Sequence, residues 1–152
     1  MTLRERLSAA LADAIRNDNP DRVAILRLML VALRDRDIAM KGEEGQDGLT
    51  EEEAMRLLTQ MVRQREESIR AYEQAGRMEL AEQERAEIGV IRDFLPAPLT
   101  DEEVEAAIRE AIEETGARSI RDLGRVMARL KARHAGRIDP AAIGQRVKEA
   151  LE

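Results

Sequence analysis

The sequence predicts an all-α protein: a helical N-terminal domain of about four helices over residues 1–95, followed by a small three-helix C-terminal bundle over residues 96–152. Three observations predict it. Tyr72 and Phe94 are the only aromatic residues, so the core must be built from Leu, Ile, Val, Met and Ala, which suit helix-on-helix packing. Polar capping residues recur directly before apolar runs of helical period. No stretch alternates apolar and polar residues for long enough to make a strand, and no segment repeats at solenoid spacing.

The elements follow in order. Thr2 with Glu5 three residues on reads as a capping box, and Leu3, Leu7, Leu11 and Ile15 recur at helical spacing up to Asn17. Asn19 and Pro20 supply an N-cap and a first-turn proline for a second helix through about Met40. Its middle, VAILRLMLVAL, is apolar on every side except at Arg27. That is the pattern of a helix enclosed by others, so this helix is expected to be the central element. Residues 41–48, KGEEGQDG, lack periodicity and read as a mobile loop. Thr50 with Glu53 opens a third helix, with Ala54, Leu58, Met61, Ile69 and Tyr72 roughly on one face and Gly76 at its end. A fourth runs from about Met78 to Phe94, with Leu80, Ile88, Ile91 and Leu95 as its apolar stripe.

Pro96 and Pro98 form the only proline cluster, and the domain boundary is placed there. Beyond it Thr100 with Glu103 caps a helix carrying Val104, Ile108, Ala111 and Ile112, which Gly116 ends. Ser119 with Asp122 opens the next, with Leu123, Val126, Met127 and Leu130 inward, and Asp139 with Pro140 opens the last, with Ile143, Val147 and Leu151 inward.

Composition narrows the chemistry. Apolar residues are 43% and charged residues 37% of the chain, which fits soluble amphipathic helices and is too apolar for a disordered protein. There is no cysteine, which excludes disulfides, thiolate metal sites, iron–sulfur clusters and a cysteine nucleophile. The N-terminus is an amphipathic helix pattern without an apolar h-region, and nowhere do eighteen apolar residues run together. The expectation is a cytoplasmic protein with no membrane association.

No catalytic constellation stands out. Ser8, Ser68 and Ser119 lie in helical or capping contexts, none of them in a G-x-S-x-G turn. His134 is the sole histidine, which excludes a two-histidine metal motif; it is expected to be exposed near a helix C-terminus, against free carbonyls. Glu51-Glu52-Glu53 and Asp101-Glu102-Glu103 each follow a capping threonine, where the helix dipole stabilises negative charge by about 0.3–1 kcal/mol per residue. Caps therefore account for both clusters. The glycines form no phosphate-cradling motif. No catalytic residue, cofactor or metal is expected.

The basic residues remain. The chain carries a formal charge of -6, yet residues 115–152 hold nine Lys and Arg against four Asp and Glu, while residues 97–114 hold one Arg against seven acids. Arg118, Arg121, Arg125 and Arg129 recur at three- and four-residue steps and form a ridge on one flank of the helix that Ser119 opens. Such a run is either a solvated helix face or a phosphate site; the Arg fork matches phosphate, and on that reading Arg118, Arg121, Arg125, Lys131, Arg133 and Arg137 are the candidate nucleic-acid contacts. No aromatic follows Phe94, which leaves backbone and shape of a folded RNA rather than base stacking.

A second group is a candidate functional cleft: Arg22, Arg27, Arg63, Arg65 and Arg77. An arginine inside an apolar helix is costly unless paired, so Arg27 is expected to meet Asp93 or Glu87 or to line a cleft. Around Arg63, Arg65, Arg70 and Arg77 the acids Glu66, Glu67 and Glu73 interleave, as in a surface laced with salt bridges.

The blocks VRQREESIRAYEQAGRMELAEQERAEIGVIRDFLP and ETGARSIRDLGRVMARLKARHAGRID, preceded by LRERLSAALADAIRNDNPDRVAILRLMLVALRD, resemble the YqeY family, also called GatB/YqeY domain proteins. The likeness covers residues 2–151. It implies a helical N-terminal domain joined to a small helical domain similar to the tail of the B subunit of the tRNA-dependent Glu/Asp amidotransferase, which contacts tRNA. It also implies the label carbon–nitrogen ligase with glutamine as amido-N-donor. The expected function is a non-catalytic tRNA- or RNA-associated accessory protein, with a protein partner in the translation machinery as a further expectation. The alternative is a protein–protein interaction module with no nucleic-acid ligand. The matching positions are Arg27, the Q-R-x-E-S block at Arg63 to Ser68, Gly76 and Arg77, and Asp122, Gly124, Arg125, Val126 and Met127. Ala128 and the GRIDP turn depart from the pattern, where the family shows a glycine and a G-R-A-D-G turn.

Overall fold

The computed structural model describes residues 1–41 and 48–152; the loop expected after Lys41 lies outside the described residues. All regular structure among them is helical. The elements are α1 (Leu3–Arg16), α2 (Pro20–Lys41), α3 (Glu51–Gln74), α4 (Met78–Arg92), α5 (Asp101–Thr115), a 3₁₀ turn (Ile120–Asp122), α6 (Leu123–Arg133) and α7 (Pro140–Leu151). They group into two compact units, Met1–Leu95 and Pro96–Glu152.

Local chemistry explains where each helix starts. Thr2, Thr50, Thr100 and Asp139 each accept a backbone N–H of the following first turn, and Asn19 does the same for Arg22. The reciprocal capping box forms at Thr100–Glu103 and at Ser119–Asp122. At Thr50 the Glu53 carboxylate instead accepts the threonine hydroxyl at 2.9 Å. Ser119 and Asp122 open the 3₁₀ turn, and α6 continues directly from it.

In the first unit α1 packs on α2, and α3 packs on α4 as a hairpin. Leu7, Leu26, Met29, Leu33, Leu58 and Ile91 form its fully buried core. Ile88, Ile91 and Leu95 pack inward as the spacing suggests, whereas Leu80 is 38% exposed and Ala81 takes the inner position beside it. The expectation of an enclosed α2 is corrected. Ile25, Leu26, Met29 and Leu33 are buried, but Leu28 and Val31 are each 49% and Ile38 61% exposed. Helices α1, α3 and α4 cover one side of α2 only.

The far end of α2 is fixed by Asp37, the one buried charged residue among the described residues. It accepts from Arg4 at 3.0 Å, Lys41 at 3.2 Å and the Leu49 N–H at 2.9 Å. Arg4 and that backbone N–H hold its carboxyl well below the usual carboxylate range. Gly48 has φ +101, and a Cβ there would lie 2.4 Å from Asp37 Oδ1. Gly48→Ala is therefore expected to lower stability by about 1–3 kcal/mol, through positive φ and the displaced carboxylate together. A shifted thermal or urea midpoint would register it.

The second unit is a three-helix bundle with Val126, Leu130 and Val147 at its centre, and with Val104, Ile108 and Ile143 packed around them. Gly116 ends α5 at φ 68, a left-handed backbone that glycine adopts without strain. The Leu99 N–H donates to the Arg137 carbonyl at 3.0 Å, and Arg137 Nε returns a bond to the Ala97 carbonyl at 2.8 Å. The proline segment is thus tied to the turn that precedes α7.

Candidate nucleic-acid interface

Helix α6 presents its cations in more than one direction. Residues advance about 100° each around a helix, so Arg125, Arg129 and Arg133 stay on one flank, while Lys131 points about 160° away from Arg129. The flank of Arg129 and Arg133 faces α5. There Glu114 accepts from Arg129 at 2.7 Å through one oxygen and from Arg133 through the other. The two guanidiniums, Arg133 first, lower the Glu114 carboxyl. Arg137 lies 3.9 Å from Glu103, and Arg146 lies 3.5 Å from Asp101.

The basic ridge expected from the sequence is thus only partly free. Arg129, Arg133 and Arg137 are matched by α5, the acidic segment just upstream, because the antiparallel packing of α5 on α6 brings Glu114 beside α6. Taken whole, residues 96–152 hold ten Lys and Arg against eleven Asp and Glu. Such a unit exerts no net long-range pull on a polyanion.

A smaller positive corner persists at the start of α6. The Arg118 and Arg121 side chains are exposed and have no ion pair among the described residues. Arg125, 59% exposed, donates to Asp122 and to the Thr115 carbonyl at 2.9 Å. Asp122 is fully engaged, since it also accepts the backbone N–H groups of Arg118 at 2.9 Å and Ser119 at 3.3 Å. Those bonds, the Arg118 N–H first and the Arg125 side chain next, hold its carboxyl at about 2. Three guanidiniums therefore face one carboxylate whose oxygens are taken. Gly124, in the first turn of α6, is exposed, and a Cβ there would meet nothing within 4 Å, so the backbone is open to approach. The block Asp122, Gly124 and Arg125 marked in the sequence lies at this corner.

The other candidates divide. Arg22, Arg27, Arg63, Arg65 and Arg77 do not form one cleft. Arg22 lies 3.5 Å from Asp93. Arg65, 13% exposed, donates to Glu87 at 3.0 Å and lies 3.9 Å from Glu84. Both expected partners of Arg27 are thus taken by other arginines. Arg27 is exposed on α2 and lines an open depression with Ile15, Pro20 and Val23. Arg63 is half-buried on α3, and Arg77 is exposed at the α3–α4 turn. Two of the three acids near Arg63–Arg77 bridge to α4: Glu66 with Arg92 at 3.1 Å, and Glu73 with Arg85 at 2.9 Å.

His134 caps the C-terminus of α6 and is half-buried, not exposed; burial, with Arg133 and Arg137 nearby, lowers its pKa. Ser68 donates to the Gln64 carbonyl and Ser119 accepts from the Arg121 N–H, both local helix bonds. Among the described residues no His, Cys, Asp and Glu cluster is suited to a metal ion, and no helix is long and apolar enough to cross a membrane. What the corner offers is charge and donors for an anion.

Residues 4–151 match the family model described as Yqey-like protein, YqeY. No curated protein matches the chain.

Proposed function

The chain belongs to the YqeY family, and from that premise we propose that it is a non-catalytic accessory protein that holds folded RNA, tRNA foremost, by its phosphates at the corner of Arg118, Arg121 and Arg125. One observation carries the reading: at this corner three arginines stand close in sequence with no acidic partner on α5. Arg forks and the exposed start of α6 suit phosphate oxygens. The absence of aromatics after Phe94 suits backbone contact over base readout. The likeness to the amidotransferase B subunit tail points to the same ligand class.

Three contacts make a modest interaction, which fits an accessory role beside a larger partner. Glutamine-dependent amide transfer by this chain alone forms no part of the reading. A module that docks on protein and binds no nucleic acid is the competing reading, and it draws on the exposed apolar side chains of α2.

Glu114 supplies the test. Glu114→Gln removes the charge that holds Arg129 and Arg133, so the free cationic surface extends along α6. Affinity for total tRNA is expected to rise several-fold, and the log–log salt slope to steepen by about 1–2. Electrophoretic titration at two salt concentrations, against a single-stranded control, reads both. An unchanged affinity would mean that α6 does not face the RNA.

A further inference from the structure

Between α2 and α4 the first unit has an open groove of about 710 Å³, with Ala24, Ile25, Ala86 and Val90 as its apolar walls. Its rim carries Asp21, Glu79, Glu82 and Glu87. Arg85 neutralises Glu82 and Arg65 neutralises Glu87. Asp21 and Glu79 have no ion pair among the described residues, and the groove's arginine, Arg22, is held by Asp93.

From Ala24 the apolar surface continues along α2 through Leu28, Val31 and Ile38, which are exposed. Steps of four, three and seven residues keep these side chains on one side of the helix, in a seam over a length on the order of 20 Å, and the exposed carboxylate of Asp35 lies on that same side between Val31 and Ile38. Asp21 lies about 60° round the helix on one side of the seam, and Arg27 and Arg34 lie about 60–80° round on the other. Both arginines are exposed and without an ion pair among the described residues.

We propose that this seam and groove dock an amphipathic helix of a partner protein. Its apolar ridge fills the seam, Lys and Arg run along the flank over Asp21 and Glu79, and Asp and Glu run along the flank over Arg27 and Arg34. An apolar stripe at helical spacing takes a helix in a groove, and flanks of opposite sign fix its direction and register. A nucleic acid fits less well, because the acidic rim and Asp35 repel phosphate and the apolar side chains of α2 give it no contact. This site is independent of the RNA corner.

Two synthetic helical peptides of about 18 residues, four to five turns, test it against the full chain by fluorescence anisotropy. Both carry the same leucine seam; one has lysines on one flank and glutamates on the other, and the second has glutamates on both. The mixed peptide is expected to bind at least about tenfold tighter. Leu28→Asp, and separately Asp21→Lys with Glu79→Lys, are each expected to weaken the mixed peptide by about tenfold or more. All three positions are exposed, so an unchanged melting curve confirms the fold of each variant. Equal affinity for the two peptides, no binding by either at about 1 mM, or binding indifferent to both variants overturns the proposal.

Discussion

Replacing Arg118 and Arg121 together by glutamate is expected to cost roughly 100-fold in tRNA affinity at about 0.1 M salt, at about 1.5 kcal/mol for each charge-assisted hydrogen bond to phosphate that the variant can no longer make. Both side chains are exposed and carry no ion pair among the described residues, so melting should be unchanged. The double variant leaves Arg125, already bound to Asp122, as the last guanidinium of the corner. The informative control is Arg129→Glu with Arg133→Glu. Those two residues serve Glu114, so their reversal should lower stability modestly and tRNA affinity by far less. If the two pairs of substitutions weaken tRNA equally, the corner is not the contact and the whole flank is.

Arg65→Ala is expected to destabilise the first unit by about 3 kcal/mol at neutral pH, because it leaves Glu84 and Glu87 together in the α3–α4 seam with no cation between them. Burial raises the Glu84 carboxyl, the charge of Glu87 raises it further, and Arg65 opposes both. The sign follows from which state binds the proton. A carboxylate raised in the folded state binds protons more tightly there than in the unfolded chain, so folding gains as pH falls and loses as pH rises through the folded value. Removing Arg65 raises Glu84 further. The stability gap between the native protein and Arg65→Ala should therefore be widest at neutral pH and narrow as pH falls towards the native Glu84 value, which burial holds above the ordinary glutamate range. Urea midpoints at neutral and acidic pH measure it. A gap independent of pH would mean that the missing packing of the Arg65 stem, not the bared carboxylates, causes the damage.

How much of the fold is legible in the sequence follows from how local each feature is. Caps act over three residues, so Thr50, Thr100, Ser119 and Asp139 mark their helices correctly. The inward faces of α6 and α7 are equally plain, because Val126, Leu130, Ile143 and Val147 recur at helical steps. The outer face of α2 is not legible. Leu28, Val31 and Ile38 are apolar whether neighbours cover them or not, and one sequence does not tell a buried stripe from a docking seam. Ion pairing escapes the sequence for the same reason. Glu114 lies 15 residues before Arg129, and its role appears only once α5 folds back on α6. Arg27 reads as costly because its neighbours in sequence are apolar, yet its side of α2 faces water. The charge imbalance of residues 115–152 is real in the chain, and packing against residues 97–114 matches Arg129, Arg133, Arg137 and Arg146 with acids.

The most direct test of that corner is the salt dependence of tRNA binding by the unmodified protein. With three guanidiniums on phosphates, log affinity against log salt should fall with a slope of roughly -2 to -3. A slope near zero would contradict phosphate binding outright. A slope of about -6 would contradict the account from the other side, since it would require several phosphate contacts beyond the three arginines of the corner.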